Sequence, residues 1–251
     1  MVNKKLCDQF LAEQWDSMVW SYSRVSSYVH CPYTWYETYV LGNRKGNFYA
    51  YAGSSYHEVM EDFYNFWLEG GDLKLDVIKD TFRKKLVIKF DNNPFTDRWA
   101  QSTYTKLLDS IDSFEIYKDV TSVERLIEWE IDNYRFQGYI DLDAGEYHYD
   151  WKSRWDEKKY NHQQNLYLFA KEQVDSIKTK GFRIPQYKEN LNVKKIRRSE
   201  KNISSAIEMV RVTIPRIKHS LEIAIFDKNP NEKFFCRSLC GAKKCEHGYT
   251  K

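Results

Sequence analysis

The chain has 251 residues, of which 42% are hydrophobic and 16% aromatic, which is enough to fill a real core and argues against global disorder. Its 39 basic and 36 acidic residues give a net charge of +3, so attraction to a polyanion has to come from local clusters. The first ten residues lack the apolar run of a signal peptide, and no later stretch resembles a membrane span. We therefore expect a cytoplasmic protein with no membrane partner.

The first half of the chain is predicted to be mainly helical, because apolar and aromatic side chains recur there at helical intervals. The predicted helices cover residues 24–40, 54–69, 73–90 and 97–118. Ser23 is the expected N-cap of the first helix, and Gly53 precedes the second. The helix-breaking sequence Asp91-Asn92-Asn93-Pro94 separates the last two.

The pattern changes near residue 123, where two sets of side chains alternate with the period of a strand. The first set is Val123, Arg125, Ile127, Trp129 and Ile131, and the second is Glu124, Leu126, Glu128 and Glu130. Two more strands are predicted over residues 134–143 and 146–152, joined by a short turn at Ala144-Gly145.

The last third of the chain returns to helical periodicity. One helix is predicted over residues 160–178 and another over 203–226, which Pro215 should kink or interrupt. Residues 181–198 have no clear period and are compatible with extended chain. No internal repeat, low-complexity segment or flexible linker marks a boundary, so we expect a single domain over residues 1–251.

The predicted hairpin gathers charged side chains on one face. With the turn at Ala144-Gly145, Asp141 faces His148, and Asp150 lies diagonally across from Asp141. Diagonal neighbours have Cα atoms roughly 7 to 8 Å apart, so the two aspartates can converge on one cation. Lys152 points the same way, because strand side chains alternate.

Such a cluster has a chemical use. Hard cations prefer carboxylate and carbonyl oxygens, and a bound Mg²⁺ or Mn²⁺ can activate water and polarise a phosphodiester. Lys152 could orient the attacking water or balance the growing negative charge on the phosphate. The alternative interpretation is an ordinary row of surface ion pairs on a strand.

The surrounding residues favour the first interpretation. Gly138-Tyr139-Ile140-Asp141, followed by Asp150-Trp151-Lys152, resembles the core motif of the PD-(D/E)xK nuclease superfamily. Upstream, the segment from Gly53 to Glu61 resembles the helical motif of the RecB-like branch, with His57 in the ligand position. Downstream, Gln163 and Tyr167 have the spacing of that branch's Gln-x3-Tyr helix motif, which lies beside the active site and DNA.

The resemblance implies an α/β fold, with a small mixed sheet that carries the active site and is flanked by helices. It implies an N-terminal helical part at about 20–118, a nuclease core at about 119–200 and a C-terminal part at about 203–247. The implied metal ligands are His57, Asp141, Asp150 and Trp151, and the implied catalytic residues are Asp141, Asp150, Lys152, Gln163, Tyr167 and Glu61. The family motif gives His148 no role, so we expect it to be structural or close to DNA.

Four cysteines suggest a second metal centre. Cys31 precedes Pro32, and Cys236, Cys240 and Cys245 lie near the C-terminus. One cysteine plus three resembles the iron-sulfur subgroup of RecB-like nucleases, which includes the AddB nuclease domain and the CRISPR-adaptation exonucleases, and implies a structural [4Fe-4S] cluster.

The tail departs from the commoner Cys-x2-Cys-x5-Cys spacing, because its middle cysteine is displaced by one place. The alternative metal is Zn²⁺, held by the same four cysteines or with His247 in place of one of them. Cys7 has no partner in this pattern and is expected to be a free thiol.

These features together predict a Mg²⁺- or Mn²⁺-dependent exonuclease that prefers single-stranded DNA and acts in recombination, repair, replication or CRISPR adaptation. Of three basic clusters, at Arg83-Lys84-Lys85, Lys194 to Arg198 and Arg211 to Lys218, we favour the second as a DNA contact. No Walker A sequence is present, so a helicase partner would be a separate chain.

Three other functions remain open at this point. The first is an endonuclease of the same superfamily, and the second is a catalytically silent DNA-binding subunit. The third is a metal-stapled interaction module with no nucleic-acid role. The size and the absence of fused domains suit a stand-alone bacterial or phage enzyme.

Overall fold

The computed structural model describes residues 2–43, 48–71, 74–91, 98–152, 156–186 and 191–229, together with residues 231, 236, 240 and 245. The chain divides into two compact units. The first comprises Met1–Asn47, Glu128–Gly138 and Ser204–Lys251, and the second comprises Phe48–Ile127 and Tyr139–Ile203. None of the described helices combines the length and the apolar composition that a membrane span requires.

Five strands form one sheet in the order β1-β2-β3-β4-β5. They are β1 (Ser122–Ile131), β2 (Tyr134–Ala144), β3 (Tyr147–Tyr149), β4 (Gly181–Gln186) and β5 (Asn192–Arg197). Strands β2 and β3 are antiparallel, β3 and β4 are parallel, and β4 and β5 are antiparallel. Helix α7 (Glu157–Asp175) makes the crossover that parallel pairing of β3 and β4 requires. The predicted fold class, a mixed sheet flanked by helices, is confirmed.

Residues 181–198, which have no clear period in the sequence, form the antiparallel pair β4 and β5. Strand β5 is the edge of the sheet, and its lysines Lys194 and Lys195 are exposed. Charged side chains on an edge strand discourage pairing with another chain. The polar composition of this strand therefore reflects its position at the edge.

Helices α4 (Phe48–Leu68), α5 (Leu75–Asp91) and α6 (Arg98–Ser110) belong to the second unit, and a 3-10 turn, Ile111–Ser113, follows α6. Helix α4 begins earlier than predicted, because its buried stripe extends back through Ala52 and Tyr56 and outweighs the low helix propensity of Gly53. The predicted helix 97–118 ends early, because Phe114 is extended and packs in the core. Of the predicted breaker, residues 92–94 lie outside the described residues.

The first unit contains α1 (Lys4–Glu13), α2 (Tyr22–His30), α3 (Pro32–Trp35), a π-helical turn (Tyr36–Val40) and most of α8 (Glu200–Ile223). The prediction of one helix over 24–40 is wrong. Cys31 is extended, with φ −159°, because the residue before a proline is pushed out of helical conformation, and Pro32 then starts α3. The N-cap of α2 is Ser21, whose side chain accepts a hydrogen bond from Arg24 N at 3.2 Å, rather than Ser23.

Two features of this unit differ from expectation. Helix α1 was not predicted, although its Cys7 and Phe10 are buried. Pro215 lies inside α8, but the helix continues to Ile223 without interruption, because its apolar stripe is held in the core. That stripe consists of Ala206, Val210, Ile214, Ile217 and Leu221.

Candidate active site

The turn between β2 and β3 sets the register of the site. Ala144 pairs with Tyr147, so the turn residues are Gly145 and Glu146 rather than Ala144 and Gly145 as predicted. Gly145 has φ +64°, a conformation that glycine adopts without steric cost, which fixes it inside the turn. The predicted register is therefore wrong by one residue on each strand.

The corrected register changes the relation of the two aspartates. Asp143 pairs with His148 and Leu142 with Tyr149, where β3 ends, and continuing this register by one residue puts Asp150 across from Asp141 instead of diagonal to it. The backbone N–H of Trp151 donates to Asp141 Oδ2 at 2.8 Å. Both carboxylates are buried and lie on the same face, as the hairpin pattern predicted.

Asp150 and Lys152 are held in place by β4. The backbone N–H of Asp150 donates to Arg183 O at 3.1 Å, and that of Lys152 donates to Pro185 O at 3.1 Å. Lys152 Nζ lies 2.7 Å from Asp150 Oδ2. Burial raises the pKa of Asp150, the ammonium of Lys152 opposes this rise, and the charge of Asp141 adds to it.

Helix α4 presents His57 to the two strands. His57 Nδ1 lies 3.4 Å from Asp141 Oδ2, and its Nε2 lies 3.2 Å from the backbone carbonyl oxygen of Trp151. The Trp151 side chain is buried in the core, where its ring contacts Tyr56 at 5.9 Å. As a metal ligand, Trp151 can therefore offer only its carbonyl oxygen.

Glu124 of β1 completes this cluster and was not among the predicted site residues. Its carboxylate, a His57 ring nitrogen and an Asp141 carboxylate oxygen all lie within 4.8 Å of one another. The pKa of Glu124 is raised to about 7, first by burial and then by the negative charge of Asp141, and Glu61 adds a smaller rise. Glu61 lies one turn after His57 on α4.

The sequence contains a signal for Glu124. Counting outward from the two-residue turn between β1 and β2 places Glu124 opposite Asp141. The stacked rings of Trp129 and Phe136, 5.5 Å apart, agree with that register. The alternating pattern predicts a strand but does not by itself mark Glu124 as a site residue.

The helix motif residues also reach the site. Tyr167 is buried on α7, and Gln163 is hydrogen-bonded to it. Burial raises the pKa of Tyr167 to about 12, the hydrogen bond from Gln163 lowers it, and the charges of Asp150 and Asp141 raise it further. The pair therefore lies beside the two carboxylates.

The donor set fits a hard divalent cation. Carboxylate and carbonyl oxygens are the preferred ligands of Mg²⁺ and Mn²⁺. A neutral imidazole is a weaker ligand for Mn²⁺ than a carboxylate is, but it can also bind this ion. His57, Glu124 and Asp141 are the group of such donors found within 4.8 Å among the described residues. These three residues therefore form a candidate site for a divalent cation.

His148 does not belong to the donor set. It is fully buried, its Nε2 lies 2.7 Å from Gln164 Oε1, and its ring stacks on Phe182 at 5.8 Å. Burial lowers the pKa of His148 to about 4, so the ring is neutral near pH 7. Of the two roles expected for His148, the contacts agree with the structural one.

The cysteines of the expected second centre approach one segment of the first unit. Cys31 Sγ lies 4.0 Å from Asp227 O, and Cys236 Sγ lies 3.5 Å from Asn229 O. Asn229 is in turn hydrogen-bonded to the carbonyl of His30, the residue before Cys31, at 2.8 Å. Both sulfur atoms therefore face the same short stretch of chain.

The other two cysteines lie beside the residues that follow Cys31. Cys240 Sγ lies 3.2 Å from Thr34 Oγ1. The pKa of Tyr33 is raised first by burial, then by Glu37, and to a smaller extent by the thiol of Cys245. Within the part of the chain that the structure describes, no three of the four sulfur atoms lie within 4.8 Å of one another. His247, the alternative zinc ligand, lies outside that part.

Ion pairs occupy part of each basic cluster. In the favoured cluster, Arg198 bonds to Glu172 and to Glu200 and only a tenth of its side chain is exposed, whereas Lys194, Lys195 and Arg197 are exposed. Arg211 pairs with Asp132 at 2.9 Å. The first cluster is paired as well, with contacts Arg83–Asp112, Lys84–Asp80 and Lys85–Asp62.

The site combines donor atoms for a divalent cation with a lysine that is held beside Asp150. The sequence matches the model of the PD-(D/E)XK nuclease superfamily over residues 19–245, and the chain therefore belongs to that superfamily. Members of this superfamily are nucleases that act on DNA and use divalent metals.

One solved structure has the same fold. It is the crystal structure of a protein from Eubacterium rectale described as a candidate exonuclease, with a TM-score of 0.52 and 13% sequence identity. The similarity covers 89% of each chain. No curated protein sequence matches this chain significantly.

Proposed function

We propose that this protein is a Mg²⁺- or Mn²⁺-dependent deoxyribonuclease that degrades single-stranded DNA from an end. The observation that carries the proposal is the convergence of His57 and Asp141 donors beside the buried ion pair of Asp150 and Lys152. A bound cation supplies Lewis-acid polarisation of the phosphodiester and a water of lowered pKa. His57, Asp141, Asp150 and the carbonyl of Trp151 are the residues that would hold it.

Lys152 acts on the phosphate rather than on the cation. Its ammonium is fixed 2.7 Å from Asp150 and only 15% of its side chain is exposed, so it is oriented before substrate arrives. A fixed positive charge stabilises the negative charge that develops on phosphate oxygens during hydrolysis. Loss of Lys152 should therefore impair cleavage more than DNA binding.

Gln163, Tyr167 and Glu61 are proposed to position the substrate and the attacking water. Tyr167 is buried next to Asp150 and Asp141, and Gln163 is hydrogen-bonded to it. Amide and hydroxyl groups bind phosphate oxygens without changing charge. Glu61 lies close to Glu124, where a carboxylate can orient water.

Single-strand preference and attack from an end rest on the resemblance to the RecB-like branch. The shared fold with the candidate exonuclease of Eubacterium rectale is in keeping with it. The same resemblance points to recombination, repair, replication or CRISPR adaptation, with any helicase supplied by a separate chain.

The test follows degradation of linear single-stranded DNA, labelled at one end, with Mn²⁺, Mg²⁺ or EDTA and anaerobically purified protein. We expect cation-dependent release of short products from the linear strand and none from a circular strand. The Asp150→Asn variant should lose cleavage by at least about a hundredfold while DNA binding in EDTA is retained. Asp80→Asn, an exposed aspartate on α5, is the matched control and should cleave normally.

Other outcomes choose between the remaining functions. Cleavage of the circular strand would assign an endonuclease. Binding of DNA without cleavage by folded wild-type protein would assign a silent DNA-binding subunit. Neither binding nor cleavage would contradict a nucleic-acid role altogether.

We also propose that Cys31, Cys236, Cys240 and Cys245 hold a structural [4Fe-4S] cluster. Cys31 together with three C-terminal cysteines resembles the arrangement of the iron-sulfur subgroup of RecB-like nucleases, and this resemblance favours iron-sulfur over zinc.

A further inference from the structure

Strand β1 is distorted at Glu124. This residue has φ +43°, a left-handed conformation that is uncommon for a residue with a Cβ atom. The register between β1 and β2 also shifts near this residue. The backbone N–H of Thr121 donates to Asp143 O at 2.7 Å, whereas the register that starts at the β1–β2 turn would differ by one residue. A left-handed residue at a one-residue register shift marks a β-bulge.

Bulges next to active sites re-aim side chains. At this bulge the Glu124 carboxylate comes within 4.8 Å of donor atoms of both His57 and Asp141. Two carboxylates at this distance repel each other unless a positive charge lies between them. Among the described residues no hydrogen bond or ion pair to the Glu124 carboxylate is found.

We propose that Glu124 is a direct ligand of the divalent cation, in addition to the ligands carried by α4, β2 and the Asp150 segment. The proposal rests on the proposed nuclease function, since it concerns the same cation. The bulge places a nitrogen and two carboxylates around one point, which is a donor set that suits Mn²⁺. Glu124 adds a negative charge to the site and thereby strengthens its attraction for the cation.

The test measures Mn²⁺ binding by titration calorimetry on the full chain without DNA. Glu124→Gln, which keeps the shape of the side chain, should weaken Mn²⁺ binding by at least about tenfold. Glu128→Gln is the matched control, because Glu128 lies on the exposed face of the same strand, and it should bind Mn²⁺ like the wild type.

Thermal unfolding gives a second readout that does not depend on activity. In EDTA the Glu124→Gln variant should unfold at the wild-type temperature or above it, because a like-charge repulsion is removed. Added Mn²⁺ should raise the unfolding temperature of the wild type and of Glu128→Gln. The increase should be much smaller for Glu124→Gln. A variant that responds to Mn²⁺ like the wild type would overturn the ligand role.

Asp141→Asn, titrated in parallel, separates this inference from the proposed function. If Asp141→Asn loses Mn²⁺ binding and Glu124→Gln keeps it, Glu124 is not a ligand and the nuclease proposal stands. If neither substitution changes Mn²⁺ binding, the cation site itself is refuted and both proposals fail with it.

Discussion

His148 is a neutral histidine fully enclosed beneath the carboxylates of the site. Its pKa is lowered from 6.5 to about 4, chiefly because burial disfavours the charged ring, and the hydrogen bond to Gln164 only partly offsets this. The unfolded chain therefore takes up a proton below pH 6.5 that the folded chain takes up only near pH 4. The stabilisation that the neutral His148 ring contributes is therefore complete above pH 6.5 and is lost as the pH falls toward 4.

Between pH 6.5 and pH 4 we expect the free energy of unfolding to decrease in both proteins. The decrease should be about 3 kcal/mol larger for the wild type than for His148→Gln. Urea denaturation at several pH values measures the difference. His219→Gln, on the exposed surface of α8, should keep the wild-type pH dependence. Parallel curves for wild type and His148→Gln would show that His148 is protonated in the folded state.

The sequence alone predicts the placement of some site residues. Asp141, Asp150 and Lys152 were predicted to share a face because side chains alternate along a strand, and they do. The neutral state of His148 was not predictable, because it depends on Phe182 and Gln164, which lie far along the chain and enclose the ring.

At the scale of elements, a buried lysine joins α7 to the β2–β3 hairpin. The Lys171 side chain is fully buried, and its ammonium donates to Asp143, to Gly145 O at 2.6 Å and to Tyr147 O at 3.3 Å. Arg125 of β1 bonds to the same aspartate. The network thereby fixes the turn that sets the register of Asp141 and Asp150.

Lys171→Met should lower the free energy of unfolding by about 3 kcal/mol, because it leaves Asp143 and two carbonyls buried with fewer partners. Arg125 remains as a counter-charge, which keeps the loss at the low end of the range for a broken buried pair. Chemical denaturation at pH 7 measures the change. Lys180→Met, which removes an exposed ion pair with Glu146, is the control and should leave stability nearly unchanged.

A loss of stability no larger than that of the control would mean that Lys171 contributes nothing net to the fold. Nothing in the sequence distinguishes Lys171 from an exposed lysine, since a lysine on an amphipathic helix is usually exposed. Its burial follows from the position of α7 over the turn, which local sequence does not encode.

At the scale of the whole molecule, the two ends of the chain meet within the first unit. Cys31 and the three C-terminal cysteines are separated by about two hundred residues. Cys240 and Cys245 approach Thr34 and Tyr33, and Cys236 approaches Asn229, which is hydrogen-bonded to the carbonyl of His30. A metal centre there closes a very long loop and so removes conformational entropy from the unfolded chain.

Cys240→Ala should lose iron and visible absorbance, should be less soluble, and should unfold at a temperature lower by roughly 10 °C or more. Metal analysis and thermal unfolding under anaerobic conditions measure both. Cys7→Ala, which removes a buried thiol in the same unit, should keep its metal. A Cys240→Ala protein that has lost its metal but is equally stable and active would contradict a structural role for the centre.

The sequence by itself determined the α/β class, the order of the main elements and the motif residues Asp141, Asp150 and Lys152, because periodicity and short motifs are local properties of the chain. The tertiary structure decided the register of the β2–β3 hairpin and the left-handed backbone conformation at Glu124. These depend on one-residue choices at turns, where alternatives differ little in local energy and packing against distant elements selects among them.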